Sequence, residues 1–333
     1  MDSRELVLRT LEFDNPQRIP RQLWTLPWAE EHYTAYVQKI RMDFPDDIFS
    51  SPGFYKAYAP TQGNAYEIGT YVDEWGCIFE NRQRGVIGEV KVPFIETWED
   101  LDKLRLPEEM LSVDVDSVNE LCRQTDKFVL AGNCPRPFER LQFLRTSVNT
   151  YLDLGEQSGE LFELLNRIHQ FYLKEMEIWA ATEVDGISFM DDWGTQRALL
   201  ISPKQWRKIF KPLYRDYVAL AHAHGKKIFM HTDGYTAEIL PDLVEIGVDA
   251  VNAQLFVMDI EALGKQLRGK MTFWGEIDRQ HLLSFGNVLE IDQAVRRVKD
   301  ALYADGGVIA QCEFGAGARP ENVYQVFKTW QEI

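Results

Sequence analysis

The chain has 333 residues, 45% of them hydrophobic and 26% charged, which is ordinary for a folded enzyme-sized protein and excludes a disordered or fibrous chain. Its 52 acidic and 36 basic residues leave a formal charge of −16, and no basic stripe interrupts that excess. Such a surface repels phosphate backbones, so nucleic acid is excluded as a partner.

The opening MDSRELVLRTLEF is amphipathic and charged, without the apolar stretch of an export signal, and no window reaches the roughly 20 apolar residues that span a bilayer. Cys77, Cys122, Cys134 and Cys312 are too few and too scattered for a disulfide scaffold, so they are expected as reduced thiols in a cytoplasmic protein.

In chain order, weak strand signals near 18–24 and 44–49 come first. The stretch 71–93 (YVDEWGCIFENRQRGVIGEVKVP) alternates differently and predicts an antiparallel hairpin or two. From there the chain settles into a rhythm: β-rich runs at 128–132, 184–192, 226–234, 248–254, 271–276 and 306–313 end in polar or glycine residues. Helical periodicity fills the gaps, notably at 203–224, 237–246, 260–267 and 288–304. Ser202-Pro203 reads as a helix cap followed by proline in the first turn, and Gly225 as the stop. Strands alternating with helices predict a parallel sheet, and six such units plus the two early strands make eight. The expected architecture is therefore an α/β (β/α)8 TIM barrel, one domain over 1–333 with an N-terminal elaboration over about 1–125. An open doubly wound sheet is disfavoured, because no glycine-rich phosphate loop follows an early strand.

A barrel of this kind gathers its chemistry where strands end. His231 and Asp233 close one strand, Glu276 the strand after next, and Cys312 and Glu313 the last. His231, Glu276 and Cys312 are the expected metal ligands, since three protein donors with an open position suit catalytic zinc. The bland alternatives are a buried apolar Cys312 and an ion pair between Glu276 and Arg279 or Arg319. Asp191 and Asp192, in DDWG, are candidates for proton handling; the competing use of either is capping a helix. Cys134 and Arg136, in NCPRPFE, stand in a proline-stiffened loop at the mouth, and Trp24, Trp28, Trp193 and Arg197 complete the expected substrate-binding set.

The run DDWGTQRALLISPKQWRKIFKPLYRDYVALAHAHGKKIFMHTDG, continued by ILPDLVEIGVDAVNAQ, GEID and AQCEFG, resembles the uroporphyrinogen decarboxylase-like superfamily over about 125–330. The resemblance implies a (β/α)8 barrel with an N-terminal extension and, often, a homodimer. It also implies one of two chemistries, porphyrinogen decarboxylation or zinc-dependent methyl transfer serving corrinoid proteins, coenzyme M or tetrahydrofolate.

The decarboxylases carry an Arg-Gln-Ala-Gly-Arg signature, where this chain has Arg21-Gln22-Leu23-Trp24-Thr25 and so lacks the second arginine. The thiol methyltransferases carry His-x-Cys and a distant Cys. Here the pair reads His231-Thr232-Asp233, the distant position matches Cys312, and Glu276 stands where many relatives have Asn. The expectation is thus a zinc-dependent methyltransferase or O-demethylase, with methylcobalamin supplied by a corrinoid partner protein and a small-molecule methyl donor or acceptor. A decarboxylase of a small or pyrrolic acid, resting on Arg21, Arg136 and Arg197, and a non-catalytic binding barrel are the alternatives.

Overall fold

The computed structural model describes residues 1–333 and has eight parallel strands. In chain order the strands are β1 (Arg21–Thr25), β2 (Ile48–Ser50), β3 (Gly69–Val72), β4 (Ile78–Asn81), β5 (Glu89–Val92), β6 (Phe128–Leu130), β7 (Gly186–Met190), β8 (Lys227–Thr232), β9 (Ala250–Ala253), β10 (Thr272–Trp274) and β11 (Val308–Phe314). The order around the barrel is β1-β11-β10-β9-β8-β7-β6-β2, and β3, β4 and β5 form a separate antiparallel sheet. All six of the later strand assignments and the decorating hairpins are found. So are both early strands, displaced by a few residues.

The seam between β1 and β2 is held by side chains as much as by backbone. Asp47 N donates to Arg21 O at 2.8 Å, while the carboxylates of Asp46 and Asp47 accept from Leu23 N (2.7 Å) and Arg21 N (2.8 Å). Arg18 grips both oxygens of Asp47, so the acid that replaces a strand partner is itself neutralised.

Side-chain alternation sorts each strand into two faces. Phe128, Leu130, Phe229, Ala250, Trp274 and Ile309 fill the barrel interior together with Ile48, and Val7 and Leu11 of the helix Ser3–Leu11 plug its lower end. The residues between them join the larger core against the helices, for example Ile228, Met230, Val251, Phe273 and Ala310. The expected helix 203–224 is two helices, Pro203–Ile209 and Lys211–Ala223, divided at Phe210. Pro212 explains the break, since it has no N–H and its ring crowds the preceding turn. Ser202 caps the first of them by accepting from Gln205 N, as its position predicts.

The three-stranded sheet roofs one side of the barrel mouth. Its anchor is Arg140, buried on the helix Pro137–Glu156, which donates to Asp73 Oδ2 at 2.5 Å and lies over the Trp75 ring at 4.7 Å. No helix is long and apolar enough to cross a membrane.

Candidate active site

The interior parity brings Gln22 and Trp24 of β1, His231 of β8, Asn252 of β9, Trp274 of β10 and Gln311 and Glu313 of β11 to the upper end of the barrel. Trp24, Trp274, His231, Gln22 and Glu313 line a cavity of about 360 Å³ there, with Met190, Ser188, Asn133 and Cys134 on the opposite wall. Trp24 meets Trp274 edge-on at 4.9 Å and tilts against His231 at 5.6 Å. Trp274 Nε1 donates to Gln22 Oε1 at 2.8 Å, which locks the indole against the wall.

His231 is oriented by its neighbour across the strand pair. Asn252 Nδ2 donates to the Trp274 carbonyl and to Gln311 Oε1 (3.0 Å), so its Oδ1 must face the imidazole. His231 Nδ1 therefore donates to that oxygen, at 2.6 Å, and in the neutral ring Nε2 carries the lone pair. Nε2 looks toward two carboxylates, with Asp192 Oδ1 at 3.6 Å and Asp233 Oδ1 at 3.8 Å. One donor atom from each of these three residues lies within 4.8 Å of the others.

The fit to a cation is visible in the polar atoms left over. Asp233 Oδ1 is buried and has no hydrogen-bond partner, whereas its other oxygen is held by Arg279. Asp192 Oδ1 accepts from Asp233 N at 2.9 Å, and burial, followed by the Asp233 charge, pushes the Asp192 carboxyl above its ordinary range. Two close carboxylates and a free imidazole nitrogen make a site that a divalent cation relieves.

Two glycines make this convergence possible. The loops after β7 and β8 touch backbone to backbone at Gly194 and Gly234, where a Cβ on Gly234 would lie 2.1 Å from the Gly194 carbonyl oxygen. Gly234 also has φ +80°, in the left-handed region that side chains disfavour. Gly194 N donates to Asp233 O and Tyr235 N to Thr195 O, so the loops carrying Asp192 and Asp233 are welded together.

The expected ligand set therefore changes. Cys312 lies on the helix-facing side of β11, in register with Leu23 and in one core with Ala310 and Phe314, whereas Gln311 and Glu313 face inward. Its thiol is fully buried, and burial holds its pKa well above the usual thiol range. It is the small buried hydrophobe of the bland alternative. Glu276 is also buried and stands outside the cluster, 3.4 Å from Arg279 Nε; burial first of all raises its carboxyl far above the ordinary value. Glu276 Oε2 is buried without a partner, but the donor atoms that converge are those of Asp192, His231 and Asp233.

Asp191 is not free for proton handling. It accepts from Phe138 N (3.0 Å), Glu139 N (2.8 Å) and Tyr214 Oη (2.6 Å), capping the helix Pro137–Glu156 from the end of the adjacent strand. Burial pushes its carboxyl upward, and these donors pull it back. Trp193 is core, stacked on Phe138 at 4.1 Å with Nε1 donating to Tyr214 Oη. Trp28 stacks on His32 at 4.5 Å and covers Gly85, away from the cavity. Arg197 is exposed in a surface turn closed by Thr195 Oγ1. Trp24, Cys134 and Arg136 do reach the mouth.

Arg279 does more than the pairing with Glu276 that its sequence position suggests. It is the hub of three acids: it holds Asp233, donates to Glu313 Oε1 at 3.0 Å and lies 3.4 Å from Glu276.

Among known proteins, no curated protein matches the chain. In fold it is similar to a methyltransferase from Methanosarcina mazei, at 15% identity and a TM-score of 0.68, covering 100% of this chain and 99% of that one. A B12-independent methionine synthase from a Shewanella species aligns at 15% identity over 66% of this chain and 64% of the other, with a TM-score of 0.39. The family model described as uroporphyrinogen decarboxylase (URO-D) matches residues 68–333, and the chain belongs to that family.

Proposed function

We propose that this chain is a metal-dependent methyltransferase or O-demethylase, moving a methyl group between a small molecule and a corrinoid carried by a partner protein. The observation that supports it most is the convergence of Asp192, His231 and Asp233 on one point at the edge of the 360 Å³ cavity, with Nε2 of His231 freed by Asn252. These three residues would hold a divalent cation. When bound, such a cation supplies Lewis acidity to an oxygen or sulfur of the substrate. With two carboxylates and no thiolate, the donor set is harder than the one expected from sequence, which suits an oxygen ligand and selects zinc less strongly.

The chain's own residues prepare that centre. Asn252 fixes the imidazole, Arg279 turns Asp233 so that Oδ1 faces inward, and Trp24, Trp274 and Met190 give the substrate an apolar bed that excludes water. The decarboxylase alternative loses support because its arginines disperse. Arg21 opens β1 at the lower end of the barrel and Arg197 is exposed, which leaves Arg136 alone at the mouth.

The test is metal analysis joined to turnover. Protein loaded with zinc or another divalent cation is mixed with cob(I)alamin and a panel of methoxylated aromatics, and methylcobalamin is followed by its absorbance. Methylation that disappears in Asp233→Ala and His231→Ala is expected. Metal-free protein that releases CO2 from a pyrrole carboxylate, with no methylation, overturns the proposal.

A further inference from the structure

A second cavity, of about 380 Å³, lies beside the first beneath the three-stranded sheet, and the two share Gly132, Asn133 and Cys134. Asn133 stands on this shelf, 3% exposed, with neither Oδ1 nor Nδ2 in a full hydrogen bond and only the Glu175 carboxyl close to its amide. A buried amide left with both ends unsatisfied would cost about 1–3 kcal/mol per group, so this one is available to a polar group that enters the cavity.

Arg136 faces the same cavity. Its nearest acid is Glu139 at 3.6 Å, beyond hydrogen-bond reach, so the guanidinium has donors to spare. The other cation here, Arg140, is already spent on Asp73 and Glu74. Glu175 closes the far wall, and burial pushes its carboxyl up to about 8, so near neutrality it adds no opposing charge.

We infer that the second cavity is a carboxylate subsite: the substrate is a small carboxylic acid whose carboxylate pairs with Arg136 and hydrogen-bonds Asn133, while its apolar body passes the Cys134 shelf into the cavity beside His231. A guanidinium fork with free donors matches the planar geometry of a carboxylate. This rests on the proposed methyl transfer only for which cavity holds the reacting end.

The test measures binding without turnover, by isothermal titration of the full chain with 4-methoxybenzoate and with the neutral, near-isosteric 4-methoxybenzamide. The acid is expected to bind on the order of 10- to 100-fold more tightly than the amide, the range of a charge-assisted pair. Arg136→Gln should abolish that preference while melting with the wild type, and Arg136→Lys should keep part of it. Equal affinities for acid and amide, no binding of either at millimolar concentration, or a preference that survives in Arg136→Gln overturns the inference. Carboxylate-dependent binding in a protein that transfers no methyl group would sink the proposed reaction and leave this subsite standing.

Discussion

Asn252 accepts the Nδ1 proton of His231 at 2.6 Å, and through that one contact the backbone of β10 decides which imidazole nitrogen faces the cavity. Removing the carboxamide in Asn252→Ala frees the ring to rotate and exchange tautomers. Titration with a divalent cation should then show an affinity lower by about 10- to 100-fold, the usual effect of losing a partner behind a ligand. An unchanged affinity would mean that the imidazole is not a ligand.

The two candidate donor sets predict different metal contents. Protein purified without chelator should carry about one divalent cation per chain, lost in His231→Ala and Asp233→Ala and weakened in Asp192→Asn. Cys312→Ala should keep its metal, because that side chain faces the helices, and should show only the modest destabilisation of a small core cavity. Elemental analysis of the four variants distinguishes this set from one that includes Cys312.

Asp191 predicts a stability phenotype. Its carboxylate satisfies two helix N–H groups and a buried tyrosine hydroxyl, so Asp191→Ala leaves three donors without a partner. The expected cost is about 2–4 kcal/mol, seen as a lower chemical-denaturation midpoint, with residual activity scaling with the folded fraction. A fully stable, inactive variant would return Asp191 to the catalytic list.

Glu175 gives the fold a pH dependence of defined sign. Its carboxyl titrates near the ordinary 4.5 in the unfolded chain and at about 8 in the folded one, because burial disfavours the charge. Between those values the native state holds a proton that the unfolded state has lost, so stability falls as pH rises through the window and levels off above it. Glu175→Gln removes this dependence. Its advantage over wild type in thermal melts should grow from acidic pH to about 8, reaching the order of a few kcal/mol.

Much of the fold was legible in the sequence because period and punctuation act locally. The runs ending in HTDG, NAQ, WGE and QCE are strands whose polar ends all reach one rim. The site was read less well, because strand ends say which residues approach the mouth and parity says which way they point. In VIAQCEF the polar Gln311 and Glu313 alternate with Ala310, Cys312 and Phe314, a period-two signal that Cys312 faces outward. Asn252 carried a similar signal as a polar residue in an apolar strand, in register with His231. Asp191 and Asp192 are neighbours with opposite fates for the same reason. Arg279 lies in the loop after β10, and only the closed barrel reveals that three acids surround it.

The weld between Gly194 and Gly234 bears on ion choice. With the peptides of both loops in contact, the oxygen donors of Asp192 and Asp233 cannot separate freely to suit a larger ion. A cation held between them would therefore meet a main chain suited to short metal–oxygen bonds, and calcium, which needs longer bonds and more ligands, would fit less well.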